Sequence, residues 1–288
     1  MARKDHTPFM LKLVRWTFPR VEKILPPLAH SYFLKIFFTP LRYKTPEKEL
    51  YAEKFARKFT LQAAGKMIQC YEWGEEGQPY VLLIHGWAGR ATQFRRFIQP
   101  LMNSGMRIVG FDGPAHGRST GKRTSIDEFD QTLKKIFVTM GHPAGVLAHS
   151  FGGVAALYSA MNGLPIKKLV NIASPTIGDE VIKTYLAAVN GSWSTGKFFK
   201  AYVKKKTGKS FDEFSSLHFV QHLPGKIDIL LVHDEHDKEV SIRQAEALLK
   251  VYPHAHLIRT KKLGHTRILK DDQVIRRIVT FLRDPSSP

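Results

Sequence analysis

Short apolar segments recur along most of the chain, and the intervals between them show the apolar spacing of helices. A nearly continuous apolar run is typical of a strand that is buried on both faces of a sheet. The predicted strands are Lys58–Ala64, Gln69–Trp73, Tyr80–His85, Met106–Phe111, Gly145–Ala148, Leu169–Ala173, Ile227–Val232 and His256–Thr260.

Helices are predicted at Thr92–Asn103, Ile126–Met140, Phe151–Met161, Ile242–Val251 and Gln273–Leu282. Two of them begin with the spacing of a capping box, in which two side chains satisfy the first backbone N–H groups of the helix. The pairs are Ser125 with Glu128 and Ser241 with Gln244. Strands that alternate with helices indicate an α/β fold, in which helices cover both faces of a mostly parallel sheet.

Two regions depart from this alternation. Residues 176–225 are too long for a plain crossover between strands, and their mixture of phenylalanines and lysines predicts a helical lid insertion. Residues 9–40 combine aromatics, leucines, basic residues and prolines, which predicts two or three short amphipathic helices. We therefore expect an N-terminal basic amphipathic extension at 1–57, an α/β core at 58–175 and 226–288, and the lid at 176–225.

The chain carries a net charge of +19, and its first sixty residues hold 13 Lys and Arg against 5 Asp and Glu. A field of this sign favours anionic partners such as membrane surfaces, nucleic acid or acidic substrates. Two interpretations of the N-terminal helices stay open: they pack on the domain, or residues 1–45 lie on an anionic membrane. Nucleic acid is not an expected partner because no recognition motif accompanies the charge. The oligomeric state is not indicated.

Hydrophobic residues make up 43% of the chain, which is enough for a packed core and argues against disorder. The single cysteine, Cys70, excludes an internal disulfide and fits a reducing compartment. Charged residues and prolines interrupt the apolar runs near the N-terminus, so no secretory signal is predicted. No apolar stretch approaches the roughly 20 residues of a membrane-spanning helix. We expect a cytoplasmic protein, with peripheral contact to the inner face of a membrane as the alternative.

A serine lies between a predicted strand and a predicted helix, in the segment Leu147-Ala-His-Ser150-Phe-Gly-Gly153. A nucleophile at such a sharp turn needs small residues two positions before and after it, because the backbones crowd there. Ala148 and Gly152 meet this requirement, although the first position is more often glycine. Ser150 is therefore the predicted nucleophile.

A serine hydroxyl needs a base to accept its proton and a carboxylate to orient that base. His265 follows the last predicted strand on a glycine loop, whereas His254 and His256 lie before or within that strand. Asp237 follows the strand before it and is the favoured acid. Asp234, Glu235 and Glu239 are the alternative acids. The cluster His233, Asp234, His236 and Asp237 also allows a weaker interpretation of this loop as a metal site.

A glycine turn follows the first buried strand, at His85-Gly86-Trp87-Ala88-Gly89. A turn at this position can direct a backbone N–H toward an oxyanion that develops during acyl transfer. The predicted donors are the N–H groups of Trp87 and Phe151, the second of which also begins a helix.

Together these motifs resemble the α/β-hydrolase superfamily, in its serine-nucleophile esterase and lipase-like branch, over about residues 58–283. The matching segments are His85-Gly86, Phe111-Asp-Gly-Pro-Ala-His-Gly-Arg-Ser119, His149-Ser150-Phe151-Gly152-Gly153, Asp237 and Gly264-His265. The resemblance implies an eight-stranded sheet, an acyl-enzyme mechanism, and an oxyanion hole at Trp87 and Phe151. It implies a structural rather than a chemical role for Asp112–Ser119.

We therefore predict a serine hydrolase that cleaves a carboxylic ester or thioester with a Ser150–Asp237–His265 triad and without a metal or organic cofactor. The expected partner is a small-molecule ester or thioester with an apolar acyl group. The alternative is a weakly catalytic or non-catalytic protein of this fold that acts as a membrane-associated or binding module.

Overall fold

The structure is a computed structural model that describes residues 9–283, with side chains from residue 12 onward. Residues 1–8 and 284–288, the outer ends of the predicted extension and core, lie outside the described residues. Eight strands form one sheet in the order β1-β2-β4-β3-β5-β6-β7-β8. Their bounds are β1 Arg57–Ala63, β2 Lys66–Trp73, β3 Tyr80–Ile84, β4 Arg107–Phe111, β5 Gly145–His149, β6 Lys168–Ile172, β7 Asp228–Asp234 and β8 His256–Thr260.

Strand β2 pairs antiparallel with both β1 and β4, and every other neighbouring pair in the sheet is parallel. All residues of β3, β5 and β6 are buried, which explains why these strands read as continuous apolar runs. The predicted eight-stranded, mostly parallel sheet is confirmed.

The described residues also form twelve α-helices. Their bounds are α1 Phe9–Ile24, α2 Pro26–Phe38, α3 Glu47–Lys54, α4 Arg95–Asn103, α5 Ile126–Met140, α6 Phe151–Met161, α7 Gly178–Val189, α8 Trp193–Thr207, α9 Ser216–Gln221, α10 Arg243–Val251, α11 Gly264–Arg267 and α12 Asp272–Arg283. None of these helices is both long and apolar enough to cross a bilayer, a statement that covers residues 9–283.

Helices pack on both faces of the sheet. Alternate side chains of a strand point to opposite faces, so a strand whose residues are all buried must be covered on each side. Val170 and Ile172 of β6 join a core cluster with the apolar stripes of α4 and α12. Asn171, between them, instead lies against Gly153 of α6. The predicted arrangement of helices on both sides of the sheet is therefore confirmed.

Contacts divide the chain into two compact units. The helical unit holds the described residues up to Thr39 together with Ile177–Phe214, and the sheet unit holds Pro40–Thr176 and the described residues from Ser215 onward. Helices α1, α2, α7 and α8 thus belong to one unit, while α3 belongs to the other. The boundaries expected from the sequence at residues 57, 175 and 225 stay predictions.

The helical unit has its own aromatic core. The rings of Phe33 and Phe199 are fully buried and meet edge to face, with their centroids 5.7 Å apart. Glu22 of α1 accepts hydrogen bonds at the start of α8, from the Ser192 hydroxyl at 2.8 Å and the Thr195 hydroxyl at 2.5 Å. A buried aromatic cluster and a side-chain cap from a distant helix therefore hold these helices together.

The two predicted capping boxes were wrong. Ser125 precedes α5 but makes no side-chain capping bond, and Glu128 instead forms an ion pair with Lys66. Gln244 accepts a hydrogen bond from the backbone N–H of Thr176 at 2.8 Å rather than turning back to Ser241. In both cases a partner far along the chain has replaced the local one.

Candidate active site

Ser150 occupies a strained turn between β5 and α6. Its φ of 52° and ψ of −123° lie in a region that costs a non-glycine residue about 1–3 kcal/mol. The turn is tight because α6 approaches the sheet closely. A Cβ atom at Gly152 would lie 2.2 Å from the carbonyl oxygen of Ile84, and one at Gly153 would lie 1.9 Å from Oδ1 of Asn171. Gly152 is therefore required by space, because backbone atoms cannot move aside, and a side chain at position 153 would displace Asn171.

Three predicted residues form one chain of hydrogen bonds. Nε2 of His265 lies 3.1 Å from Oγ of Ser150, and its Nδ1 lies 2.8 Å from Oδ2 of Asp237. With Nδ1–H donating to the carboxylate, Nε2 is left with a lone pair directed at the serine hydroxyl. The imidazole is thus held in the tautomer that can accept a proton from Ser150.

Asp237 is positioned by the turn that carries it. Its Oδ1 accepts hydrogen bonds from the backbone N–H groups of Glu239 at 2.8 Å and Val240 at 3.0 Å. Burial raises the pKa of this carboxyl, but the bonds from His265 and the two N–H groups outweigh burial and hold the pKa below its usual value. Asp237 is therefore an anion beside His265.

Asp234, the alternative acid, serves the loops instead. Its Oδ2 accepts from the Thr260 hydroxyl at 2.8 Å and the Leu263 N–H at 2.9 Å, and its Oδ1 accepts from the His236 N–H at 2.9 Å. The bonds from Thr260 and Leu263 connect the end of β7 to the loop that carries His265. Asp234 thus orients the loop and does not contact the imidazole.

His149 lies beside the site, and no sequence pattern predicts a role for it. Its Nε2–H donates to the backbone carbonyl of His265 at 2.9 Å, and the two rings lie 4.8 Å apart. Burial lowers the pKa of His149 to about 3, so the ring stays neutral and its Nδ1 carries no proton. Its position next to Ser150 in the chain was the one feature of the sequence that indicated a place for His149 near the site.

The glycine turn after β3 lies against the serine. A Cβ atom at Gly86 would be 2.9 Å from Cβ of Ser150, and the rings of Trp87 and Phe151 meet edge to face at 5.3 Å. Within residues 9–283, the backbone N–H groups of Trp87 and Phe151 donate no hydrogen bond to a protein atom. Both predicted donors are therefore near the serine and unengaged by the part of the chain that the structure describes.

The segment Asp112–Ser119 buttresses this turn. His85 donates from Nδ1 to the carbonyl of Gly86 at 2.7 Å and accepts at Nε2 from the N–H of Gly113 at 2.8 Å. Asp112 accepts from the N–H groups of Ala91 at 3.0 Å and Arg118 at 2.8 Å. These contacts are structural in kind, as the family resemblance implies for this segment.

The loop after β7 does not assemble metal ligands. Nε2 of His233 donates to the carbonyl of Val240 at 2.8 Å, and no group of three or more His, Cys, Asp or Glu side chains in the described range could hold a metal ion. The metal interpretation of this loop therefore has no support among these residues.

A model of the alpha/beta hydrolase family matches residues 81–277, about two thirds of the chain. The chain belongs to the α/β-hydrolase family. The match includes all the motifs that carry Ser150, Asp237 and His265, so the resemblance inferred from those motifs is confirmed at the level of the family.

Curated relatives of this α/β-hydrolase match over limited segments. It is 29% identical over 134 residues to the dihydrolipoyllysine-residue acetyltransferase component of the acetoin cleaving system of Pseudomonas putida, covering 43% of this chain and 35% of that protein. It is 32% identical over 92 residues to the serine hydrolase-like protein of Homo sapiens, covering 30% and 45%. The chain spans less than half the length of either relative.

Solved structures of similar fold align over most of the α/β-hydrolase chain. The esterase Pf2001 of Pyrococcus furiosus superimposes with a TM-score of 0.66 at 19% identity, covering 85% of this chain and 98% of that one. The thioesterase domain from the curacin biosynthetic pathway superimposes with a TM-score of 0.57 at 18% identity, covering 80% and 99%. At these identities the likeness shows the fold.

Buried neutral histidines in and near this site make the free energy of unfolding of the protein depend on pH. Burial lowers the pKa of His149 to about 3 and that of His116 to about 4, against about 6.5 in an unfolded chain. Below pH 6.5 the unfolded chain therefore binds protons that the folded chain does not, and stability falls. Between pH 7 and pH 5 each of these histidines should lower the free energy of unfolding by about 2 kcal/mol.

Urea unfolding at pH 7 and pH 5 measures this loss in the wild type and in the variants His149→Gln and His116→Gln. Each variant should lose about 2 kcal/mol less than the wild type over that interval. An equal loss in the wild type and both variants would contradict the assignment of neutral, buried rings.

Proposed function

We propose that this protein is a serine hydrolase that cleaves a carboxylic ester or thioester through an acyl-enzyme intermediate. The observation that carries the proposal is the hydrogen-bond chain from Ser150 to His265 to Asp237, with distances of 3.1 Å and 2.8 Å. Distances in this range let a base accept the proton of the nucleophile while a carboxylate orients the base.

In the first half-reaction, Nε2 of His265 takes the proton of the Ser150 hydroxyl as Oγ attacks the carbonyl carbon of the substrate. Asp237 stabilises the imidazolium that forms, because its carboxylate stays ionised. The alcohol or thiol then leaves with the proton of His265, and the acyl group remains on Ser150.

The tetrahedral intermediate places a negative charge on the former carbonyl oxygen. We assign its stabilisation to the backbone N–H groups of Trp87 and Phe151, which lie beside Ser150 and are otherwise unengaged among the described residues. In the second half-reaction, His265 activates a water molecule that releases the acid. No step of this mechanism needs a metal or an organic cofactor.

Names of similar proteins support acyl chemistry but leave the substrate open. One solved structure is an esterase, another is a thioesterase domain, and a human relative is named as serine hydrolase-like. Esters and thioesters share the attack on a carbonyl carbon and differ in the leaving group. The proposal therefore covers both classes of bond.

Replacing the nucleophile is the direct test. A fluorophosphonate probe should label the wild type, and Ser150→Ala should abolish labelling and lower p-nitrophenyl ester turnover by at least the order of 10³-fold. The control is Ser159→Ala, which removes a fully buried serine of the same helix. Unchanged labelling and turnover in Ser150→Ala would refute the assignment.

Asp237→Asn tests the acid. An amide cannot stabilise the imidazolium and favours the wrong tautomer, so kcat should fall on the order of 10⁴-fold with a smaller change in KM. Glu239→Gln is the matched control, because this mostly exposed carboxylate of the same loop lies 3.9 Å from Nε2 of His265. Steady-state kinetics on one ester should separate the two variants, and equal losses would argue against Asp237 as the acid.

We further propose that the helical unit makes peripheral contact with an anionic membrane. The six consecutive residues Lys23–Leu28 are all exposed, and five of them are apolar. Ile24 is 74% exposed, Leu28 is 58% exposed and Trp16 is 59% exposed, with the guanidinium of Arg20 over its ring. Exposed apolar groups flanked by cations are typical of a surface that enters the headgroup region of a bilayer.

Vesicle co-sedimentation tests this contact. The wild type should bind phosphatidylglycerol vesicles more tightly than phosphatidylcholine vesicles and less tightly as salt is raised. Leu28→Glu should weaken binding about tenfold or more, since it removes apolar area and adds a charge that the lipid repels. Val138→Glu is the control, because Val138 is an 82% exposed residue of α5. Equal binding by both variants would count against the proposal.

A further inference from the structure

A pocket that does not include Ser150, Asp237 or His265 lies in the sheet unit. It has a volume of about 230 Å³, and four cationic side chains line it: Arg42, Lys44, Arg90 and Arg118. Ala88 and Gly117 also contribute to its wall. A pocket with four cations in its lining has the electrostatic character of an anion site.

Two of the arginines are fixed in place by neutral acceptors. Arg42 donates from Nε to the carbonyl of Ala115 at 3.0 Å and from Nη2 to the carbonyls of Ser119 and Gly121. Arg90 is buried and donates from Nη2 to the backbone carbonyl of Tyr43 at 3.0 Å. Its guanidinium lies 4.2 Å from the centre of the Tyr43 ring. These contacts hold the positive charges in position without neutralising them.

The carboxylates nearby are shared among several cations. Glu49 lies 3.8 Å from Nε of Arg90 and 3.8 Å from Nη1 of Arg95. Glu53 pairs with Arg118 and with Lys58, each at 2.9 Å. A third carboxylate, Asp112, lies behind Gly117 and already accepts three hydrogen bonds. Four cations therefore share Glu49 and Glu53, while Arg42 and Lys44 line the pocket and pair with none of the three carboxylates.

Like charges held close together repel one another, and the cost is offset when an anion binds between them. Guanidinium groups match the geometry of phosphate oxygens, and a lysine adds a mobile point charge. The pocket is smaller than the roughly 300–1,000 Å³ of sites that enclose a whole ligand, so it suits one group of a larger molecule. We propose that this pocket binds a phosphate group.

The pocket adjoins the candidate active site along the chain. Ala88 follows Trp87 in the chain, and Gly117 follows His116. The rings of Trp87 and His116 meet edge to face, with their centroids 5.3 Å apart. Trp87 also contacts Phe151, next to Ser150. This assignment rests on the proposed hydrolase function: because the expected acyl group is apolar, the phosphate belongs to the leaving group of the substrate.

Calorimetric titration with inorganic phosphate at low ionic strength tests the pocket without any catalysis. Lys44 is the residue to change, because it makes no hydrogen bond or ion pair with the described residues. Lys44→Gln should weaken phosphate binding about fivefold or more, and Lys44→Arg should keep it. Lys48→Gln is the matched control: it removes the same charge from an exposed lysine that does not line the pocket.

Absence of phosphate binding to the wild type, or equal weakening by Lys44→Gln and Lys48→Gln, would overturn the proposal. The titration is repeated on Ser150→Ala, which should bind phosphate like the wild type. A phosphate site is thereby judged separately from the proposed hydrolase function, which Ser150 labelling tests.

The leaving-group step is tested with two thioesters that share one acyl chain. Butyryl-coenzyme A carries phosphates on its leaving group, and S-butyryl-N-acetylcysteamine carries none. Lys44→Gln should lower kcat/KM for the first about fivefold, mainly through KM, and leave the second unchanged. Equal effects on both thioesters, or no turnover of either, would overturn the leaving-group step, and phosphate binding in the titration would then assign the pocket to free phosphate.

Discussion

The close approach of helix α6 to the sheet is the constraint on which the candidate site depends. Only glycine fits at position 152, because the backbone carbonyl of Ile84 occupies the space that a Cβ would need, and a Cβ at position 153 would displace the side chain of Asn171. This proximity forces the backbone of Ser150 into a positive φ and leaves its hydroxyl at the end of β5. The same proximity brings the start of α6 beside the glycine turn after β3, where Gly86 also has no room for a side chain.

The parallel arrangement of the strands brings Asp237 and His265 to the strained turn at Ser150. Strands β3, β5, β7 and β8 run in the same direction, so the loops that follow them meet at one edge of the sheet. Asp234 bonds Thr260 and Leu263 and so joins two of these loops, while His149 bonds the backbone of His265 from a third. The imidazole is thus held through its backbone as well as through Asp237. A base held at both points keeps its lone pair directed at Ser150.

Sequence patterns predicted most of the sheet because buried parallel strands consist almost entirely of apolar residues. They also identified Ser150, Asp237 and His265 as strand-end residues, and these three side chains lie in hydrogen-bond contact. The patterns failed where a distant partner competes with a near one. Glu128 has the spacing of a capping residue, yet its carboxylate forms an ion pair with Lys66, which lies 62 residues away in the chain. Helix α1 likewise packs with α7, which no spacing in the chain could reveal.

The distribution of positive charge shows the same limit. In the sequence the first sixty residues form one basic region, which favoured anionic partners without dividing the region between them. The fold divides that region, because Arg15, Arg20 and Lys23 belong to the helical unit whereas Arg42 and Lys44 belong to the sheet unit. The first group flanks exposed apolar side chains, and the second group lines a pocket in which three backbone carbonyls fix Arg42. Cations beside apolar surface suit a lipid interface, whereas cations fixed around a small pocket suit a compact anion. One basic segment therefore supplies two surfaces whose chemistry differs.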